Sequence, residues 1–168
     1  MTTRREFLRA GLIGSALLAA MRMLPAQAAA SAPATLTLEQ REVLAAIAPV
    51  LLAGALPEGA QRAEAVGAVV DGVEQAVAGL PPHLRGELDQ LFMLLTFGPT
   101  RLLVAGVGAP WRRAAAADIA GFLESWRTSW LALLQSGYQA LHELIMAAWY
   151  ARPESWPALH YPGPPALS

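Results

Sequence analysis

The apolar stretch at 43–52 places its apolar residues three and four positions apart, which is the spacing of an amphipathic helix. Those residues are Val43, Leu44, Ile47, Ala48, Leu51 and Leu52. Thr37 and Gln40 stand just before them in the arrangement of a capping box, so we predict that the helix begins there. Pro49 predicts a kink or a break near the end of this helix, because proline cannot donate a helical hydrogen bond.

The same periodicity recurs further along the chain, and no stretch alternates apolar and polar residues as a strand does. The sequence therefore predicts an all-α fold, a compact domain of about five main helices. The later helices are predicted over 61–78, from Pro81-Pro82 onward, over 114–126 and over 129–150, with a short helical piece at 99–105. The last helix is apolar on nearly every side, which is typical of a helix central to its domain.

The N-terminus carries the ordered pattern of an export signal. A charged start is followed by an apolar run over 10–21 and by small residues suited to cleavage. We expect cleavage after Ala28, with Ala30 as the second choice; an uncleaved anchor and a chance arginine pair are the alternatives. The residues that resemble the twin-arginine motif are Arg4, Arg5, Phe7 and Leu8. Residues 1–28 are therefore predicted to be a twin-arginine signal, and the product to be periplasmic or membrane-associated.

The C-terminal stretch 153–168 differs from the predicted helical domain at 29–152. It holds five prolines in sixteen residues, so it cannot form a regular helix. It also holds Trp156, Leu159 and Tyr161, which a merely solvated tail does not need. We predict an extended tail that lies on a surface, either that of its own domain or that of a partner.

Composition narrows the chemistry open to the chain. Removing residues 1–28 from the 168-residue chain leaves 140 residues, a length suited to one domain with a real core. Four of the 12 arginines and one of the 13 acids leave with that segment, so 8 arginines remain against 12 acids, a formal charge of −4. This charge argues against a nucleic-acid partner. The lack of cysteine excludes disulfides, c-type haem attachment and thiolate-held metal centres.

The sequence holds no pattern typical of catalysis. The histidines do not form a H-E-x-x-H pair, no G-x-S-x-G elbow occurs, and "GVGAPW" lacks the features of a phosphate loop. Trp126 and Trp130 lie four residues apart with Arg127 beside them, which favours either core packing or a partner hot spot. We therefore expect a chain without catalytic residues, cofactor or metal of its own.

Three stretches resemble one family. These stretches are the signal, "LTLEQREVLAAIAPVLLAG" and "YQALHELIMAAWYARPESWPALHYPGPP". They are similar to the small subunit of bacterial membrane-associated sugar and alcohol dehydrogenases, of the gluconate 2-dehydrogenase subunit 3 kind. The resemblance is weak over 55–125, and the segment at 49–59 departs from the acidic segment usual in the family. It is most specific near the C-terminus, where it implies partner-interface residues at Trp149, Tyr150, Trp156, Tyr161, Pro162, Gly163 and Pro164.

The resemblance implies an all-helical, cofactor-free subunit that pairs with a large FAD-binding subunit, often alongside a cytochrome c. The large subunit of such systems has no signal of its own, so the small subunit leads both through the twin-arginine translocase. This explains why a chain without a cofactor site would carry a signal for folded export. The alternatives are a standalone helical protein that binds lipid, a small apolar ligand or an unrelated partner, and a transient export chaperone.

Overall fold

The computed structural model describes residues 35–156, and the fold of this part of the chain is all-α. The predicted fold class is thus confirmed, and five long helices are present. They are α1 (Leu38–Leu51), α2 (Gln61–Ala78), α3 (Pro82–Thr96), α4 (Ala116–Arg127) and α5 (Ala132–Tyr150). The predicted starts of α4 and α5 were two to three residues early, because Ala115 and Leu131 are extended and act as the N-caps.

Helix α1 begins with the capping box that the sequence predicts. The Thr37 hydroxyl accepts a hydrogen bond from the Gln40 amide at 3.2 Å, and the Gln40 side chain accepts one from the Thr37 amide at 2.9 Å. Pro49 lies inside the helix rather than at a break, and the helix ends two residues later at Leu51. Proline lacks the amide that would donate to the Ala45 carbonyl, but the Leu52 amide donates to the Ala48 carbonyl at 2.9 Å and holds the last turn.

Helix α1 occupies the centre of the domain. It packs against each of the other four long helices and against a short 3₁₀ turn at Trp111–Arg113. Its inward face is fully buried and consists of Val43, Leu44, Ile47 and Ala48. The sequence indicates a central position for α5 as well. Helix α5 packs closely against α1, α2 and α4, but one of its apolar faces is left uncovered.

The backbones of α2 and α5 approach each other closely at one point. A Cβ atom added to Gly72 would lie 3.1 Å from the Cβ of Ala148, which is tighter than most such contacts. Small residues on both helices thus permit a separation that larger side chains would prevent. This contact fixes α5 along one side of the domain.

The connection between α3 and α4 is irregular, as its glycines and prolines suggest. A single helical turn at Gly98–Thr100 continues into a π-helix at Arg101–Ala105, which Gly106 ends with a φ of 69°. Two buried indoles hold this connection: Trp111 donates to the Leu95 carbonyl at 2.7 Å, and Trp126 donates to the Val104 carbonyl at 3.0 Å. The first bond binds the ring of Trp111 to the last turn of α3, and the second binds the ring of Trp126 to the π-helix.

The described start of the predicted extended tail is not extended. Pro153–Ser155 form a 3₁₀ turn, because the fixed φ of proline suits the first position of such a turn. The Ser155 hydroxyl donates to the Arg152 carbonyl at 2.7 Å and helps to close it. Residues 157–168, and with them most of the predicted tail, lie outside the described residues, as does the predicted signal at 1–28.

Candidate functional site

The residues predicted to act in export and partner binding fall into two groups. Arg4, Arg5, Phe7 and Leu8, together with Tyr161, Pro162, Gly163 and Pro164, lie outside the described residues. Trp149, Tyr150 and Trp156 lie within them, at the C-terminal end of α5. The structure therefore places three of the predicted interface residues in one corner of the domain.

These three residues do not share one environment. The side chain of Trp149 is 4% exposed and belongs to the core, so it is not a surface anchor for a partner. Tyr150 points outward and is 40% exposed. Trp156 is half-buried, and its indole N–H donates to the Tyr150 carbonyl at 3.1 Å. Of these three residues, Tyr150 and Trp156 thus present surface to another molecule.

Trp126 and Trp130 do not share a helix face. Helix α4 ends at Arg127, so Trp130 lies in the following connection, where it is 70% exposed. Trp126 is buried and packs edge-to-face on Phe122, with ring centroids 4.8 Å apart. The sequence leaves core packing and a partner hot spot open for this stretch, and Trp126 packs in the core. Arg127 pairs with Glu124 at 2.8 Å, and this hydrogen bond raises the pKa of Arg127 and lowers that of Glu124.

An apolar groove runs between α3 and α5, and we refer to it as the α3–α5 groove. The two helix backbones do not pack closely, and they leave an open cleft of about 570 Å³. Along α5 it extends from Leu133 to Ala147, which is roughly 21 Å at 1.5 Å per residue. Its apolar lining consists of Leu80, Leu84, Leu88, Leu91, Leu94, Trp126, Leu133, Leu134, Gly137, Ala140, Leu144 and Ala147.

Polar groups are confined to the margin of this groove. They are Glu87, Gln90, Ser136 and Glu143, and all four are exposed. Leu84 and Leu133 are 38% and 48% exposed although they are large and apolar. Concave apolar walls with a few polar groups are characteristic of ligand and peptide sites. The groove can therefore hold apolar side chains or an apolar ligand, with two carboxylates at its margin.

The sequence pattern does not by itself predict this groove. The signal for it was present, since α5 is apolar on more sides than a helix needs for packing against one core. These additional apolar residues of α5 are equally typical of a helix central to its domain. Leu134, Leu144 and Ala147 are among them, and in the structure they line the groove.

A second exposed apolar cluster lies on the α3–α4 connection. Phe97, Leu102 and Leu103 are 49%, 56% and 66% exposed. The π-helix presents two adjacent leucines outward, while the neighbouring Arg101 side chain folds back to the Val107 carbonyl at 3.1 Å. Solvent-facing apolar residues of this size, taken together, are typical of a contact surface.

The charged side chains form ion pairs at the surface. Arg41 on α1 binds Asp71 at 2.5 Å and also Glu74, both on α2, and hydrogen bonding to Asp71 raises the pKa of Arg41. Glu74 also accepts a hydrogen bond from the Leu36 amide at 3.1 Å.

His142 stacks on Tyr138, with ring centroids 5.7 Å apart. Within 35–156, no three His, Asp or Glu side chains cluster in a way that could hold a metal ion.

No protein-family model, no curated protein and no solved structure matches this chain. Among the described helices, none combines the length and the apolar character required to cross a membrane.

Proposed function

We propose that this chain is a non-catalytic small subunit that exports, stabilises and positions the large subunit of a periplasmic FAD-dependent sugar or alcohol dehydrogenase. The observation that carries the proposal is the twin-arginine pattern at Arg4 and Arg5, placed ahead of a small helical domain. A route for folded proteins is of use to a chain that travels with a partner already loaded with its cofactor. FAD belongs to the large subunit in this proposal, and a cytochrome c can join the complex.

The surface of the domain supports a role in protein contact. The α3–α5 groove and the cluster of Phe97, Leu102 and Leu103 expose apolar area that the domain's own core does not use. Apolar surface of this kind marks interaction sites on monomeric proteins. Tyr150 and Trp156 add an aromatic corner, and Tyr161, Pro162, Gly163 and Pro164 extend the proposed contact with the large subunit.

Export of the pair tests this proposal. Replacing both Arg4 and Arg5 with Lys is expected to leave this chain and a signal-less flavoprotein together in the cytoplasm. Arg9→Lys is the matched control, because the twin-arginine motif has lysine at that place. Fractionation followed by affinity purification of the tagged chain measures both location and partner. Normal export of the flavoprotein with the double substitution would contradict the proposal.

The α3–α5 groove favours one other function, that of a standalone carrier of a small apolar ligand. An apolar cleft of about 570 Å³ has the size of a typical ligand site. The same purification separates the two functions. A carrier would yield an apolar compound in an organic extract and no flavoprotein, whereas a small subunit would yield the flavoprotein.

A further inference from the structure

The α3–α5 groove ends close to the point where the described chain ends. Its last lining residue on α5 is Ala147, about one turn before Tyr150, where the helix stops. Ala147 also borders a second depression, on the α2 side of α5, which Ala151 and Arg152 line. The groove is thus continuous with the surface from which the C-terminal segment departs.

The C-terminal segment has the reach and the composition to fill the groove. Twelve residues of the sequence, 157–168, follow Trp156, and four of them are proline. In the polyproline conformation they span about 37 Å at 3.1 Å per residue, against about 21 Å of groove. The segment contains no acidic residue, and its three large apolar residues are Leu159, Tyr161 and Leu167. Its one histidine, His160, suits a groove margin that carries Glu87 and Glu143.

Arg152 provides a further observation at the exit point. Its Nε atom is buried and has no hydrogen-bond partner within the part of the chain that the structure describes. A buried donor without a partner costs free energy, so an acceptor is expected nearby. A polyproline segment makes no internal hydrogen bonds, and its carbonyls are therefore free to accept one.

We propose that residues 157–168 lie as a strap in the α3–α5 groove of the same chain, with Leu159 and Tyr161 against its apolar wall. The strap concerns this chain alone and does not depend on the large subunit. In this arrangement Tyr161 contacts its own domain rather than the large subunit. Only one side of an extended strap faces the groove, so its other side remains open to a partner. The groove would otherwise leave Leu84 and Leu133 in water, and the strap removes that apolar area from solvent.

Thiol labelling of the full chain tests the strap, because the natural sequence contains no cysteine. Ser136→Cys places a single thiol on the groove margin, and Leu103→Cys places one on the π-helix as the matched control. We expect Leu159→Asp with Tyr161→Asp to speed iodoacetamide labelling at position 136 by about tenfold, the factor that corresponds to ~1.4 kcal/mol of docking free energy. Labelling at position 103 is expected to stay unchanged.

A crosslink provides a second measurement. Ala140→Cys combined with Leu159→Cys is expected to form an intramolecular disulfide faster than Leu103→Cys combined with Leu159→Cys. Equal labelling rates with and without the two aspartates, together with equal crosslinking rates, would overturn the strap. Protection that depends on protein concentration, disappears on organic extraction or requires the large subunit would also overturn it, in favour of a second copy, an apolar ligand or the partner. Unchanged circular dichroism verifies that each variant is folded.

Discussion

Gly137 is the residue at which α3, α4 and α5 come together. A Cβ atom at this position would lie 2.6 Å from Cζ3 of Trp126 and 3.2 Å from Cδ1 of Leu91. The absence of a side chain therefore lets the buried indole of Trp126 lie against α5. The indole N–H of Trp126 also holds the Val104 carbonyl, so this glycine indirectly supports the π-helix.

Gly137→Ala is expected to destabilise the chain by about 1–3 kcal/mol, the usual cost of overpacking a core. Gly121→Ala is the matched control, since that glycine lies inside α4 and a Cβ there meets nothing within 4 Å. Removing a helical glycine without a clash stabilises by about 0.5–1 kcal/mol. Denaturant unfolding of both variants measures the two effects, which should have opposite signs. A stabilising Gly137→Ala would show that Trp126 moves freely.

At the scale of elements, the sequence predicts helix boundaries well where local chemistry sets them. Thr37 and Gln40 define the start of α1 through a capping box that needs no tertiary contact. The π-helix at Arg101–Ala105 could not be predicted in the same way. Its Val104 carbonyl accepts a hydrogen bond from the Trp126 indole, which is distant in sequence, so no local pattern predicts that bond.

Thr37→Ala tests the local origin of α1. We expect a loss of about 1 kcal/mol, because the Gln40 amide loses its acceptor at the helix start. For a domain of this size that corresponds to a fall of about 3–5 °C in the melting temperature. Thr35→Ala is the control, since Thr35 is exposed and precedes the helix. Equal melting temperatures for the two variants would mean that tertiary packing alone holds the end of α1.

At the scale of the whole molecule, periodicity identifies the apolar faces of each helix but not the neighbouring element that covers each face. The sequence therefore predicts that all apolar faces of α5 are buried, whereas Leu133 and Leu134 line an open groove in the structure. Trp149, which the resemblance implies to be a partner-interface residue, packs in the core, and no local pattern distinguishes these two environments. Helix order along the chain does not reveal that α1, the first of the described helices, lies at the centre.

The proposed complex makes Trp156 the most informative residue of the C-terminal corner. Its indole donates to the Tyr150 carbonyl, so the ring is held in place before any partner binds. A preorganised aromatic side chain loses little rotamer freedom on docking. We expect Trp156→Ala to cost about 2–4 kcal/mol of affinity for the large subunit, the usual scale of a hot spot. This is on the order of a 30- to 1000-fold weaker Kd.

Two measurements on the same variants decide whether Trp156 serves the partner or its own domain. For the isolated chain we expect Trp156→Ala to remove about 1–2 kcal/mol of stability, because the indole is half-buried and donates a hydrogen bond to the Tyr150 carbonyl. Trp130→Ala is the matched control, because Trp130 is a 70% exposed tryptophan away from the C-terminal corner, and it should leave both stability and affinity unchanged. Thermal unfolding gives the stability, and titration with the large subunit gives the Kd. If Trp156→Ala instead lowers the melting temperature strongly while the Kd stays the same, the ring anchors its own domain and the partner binds elsewhere.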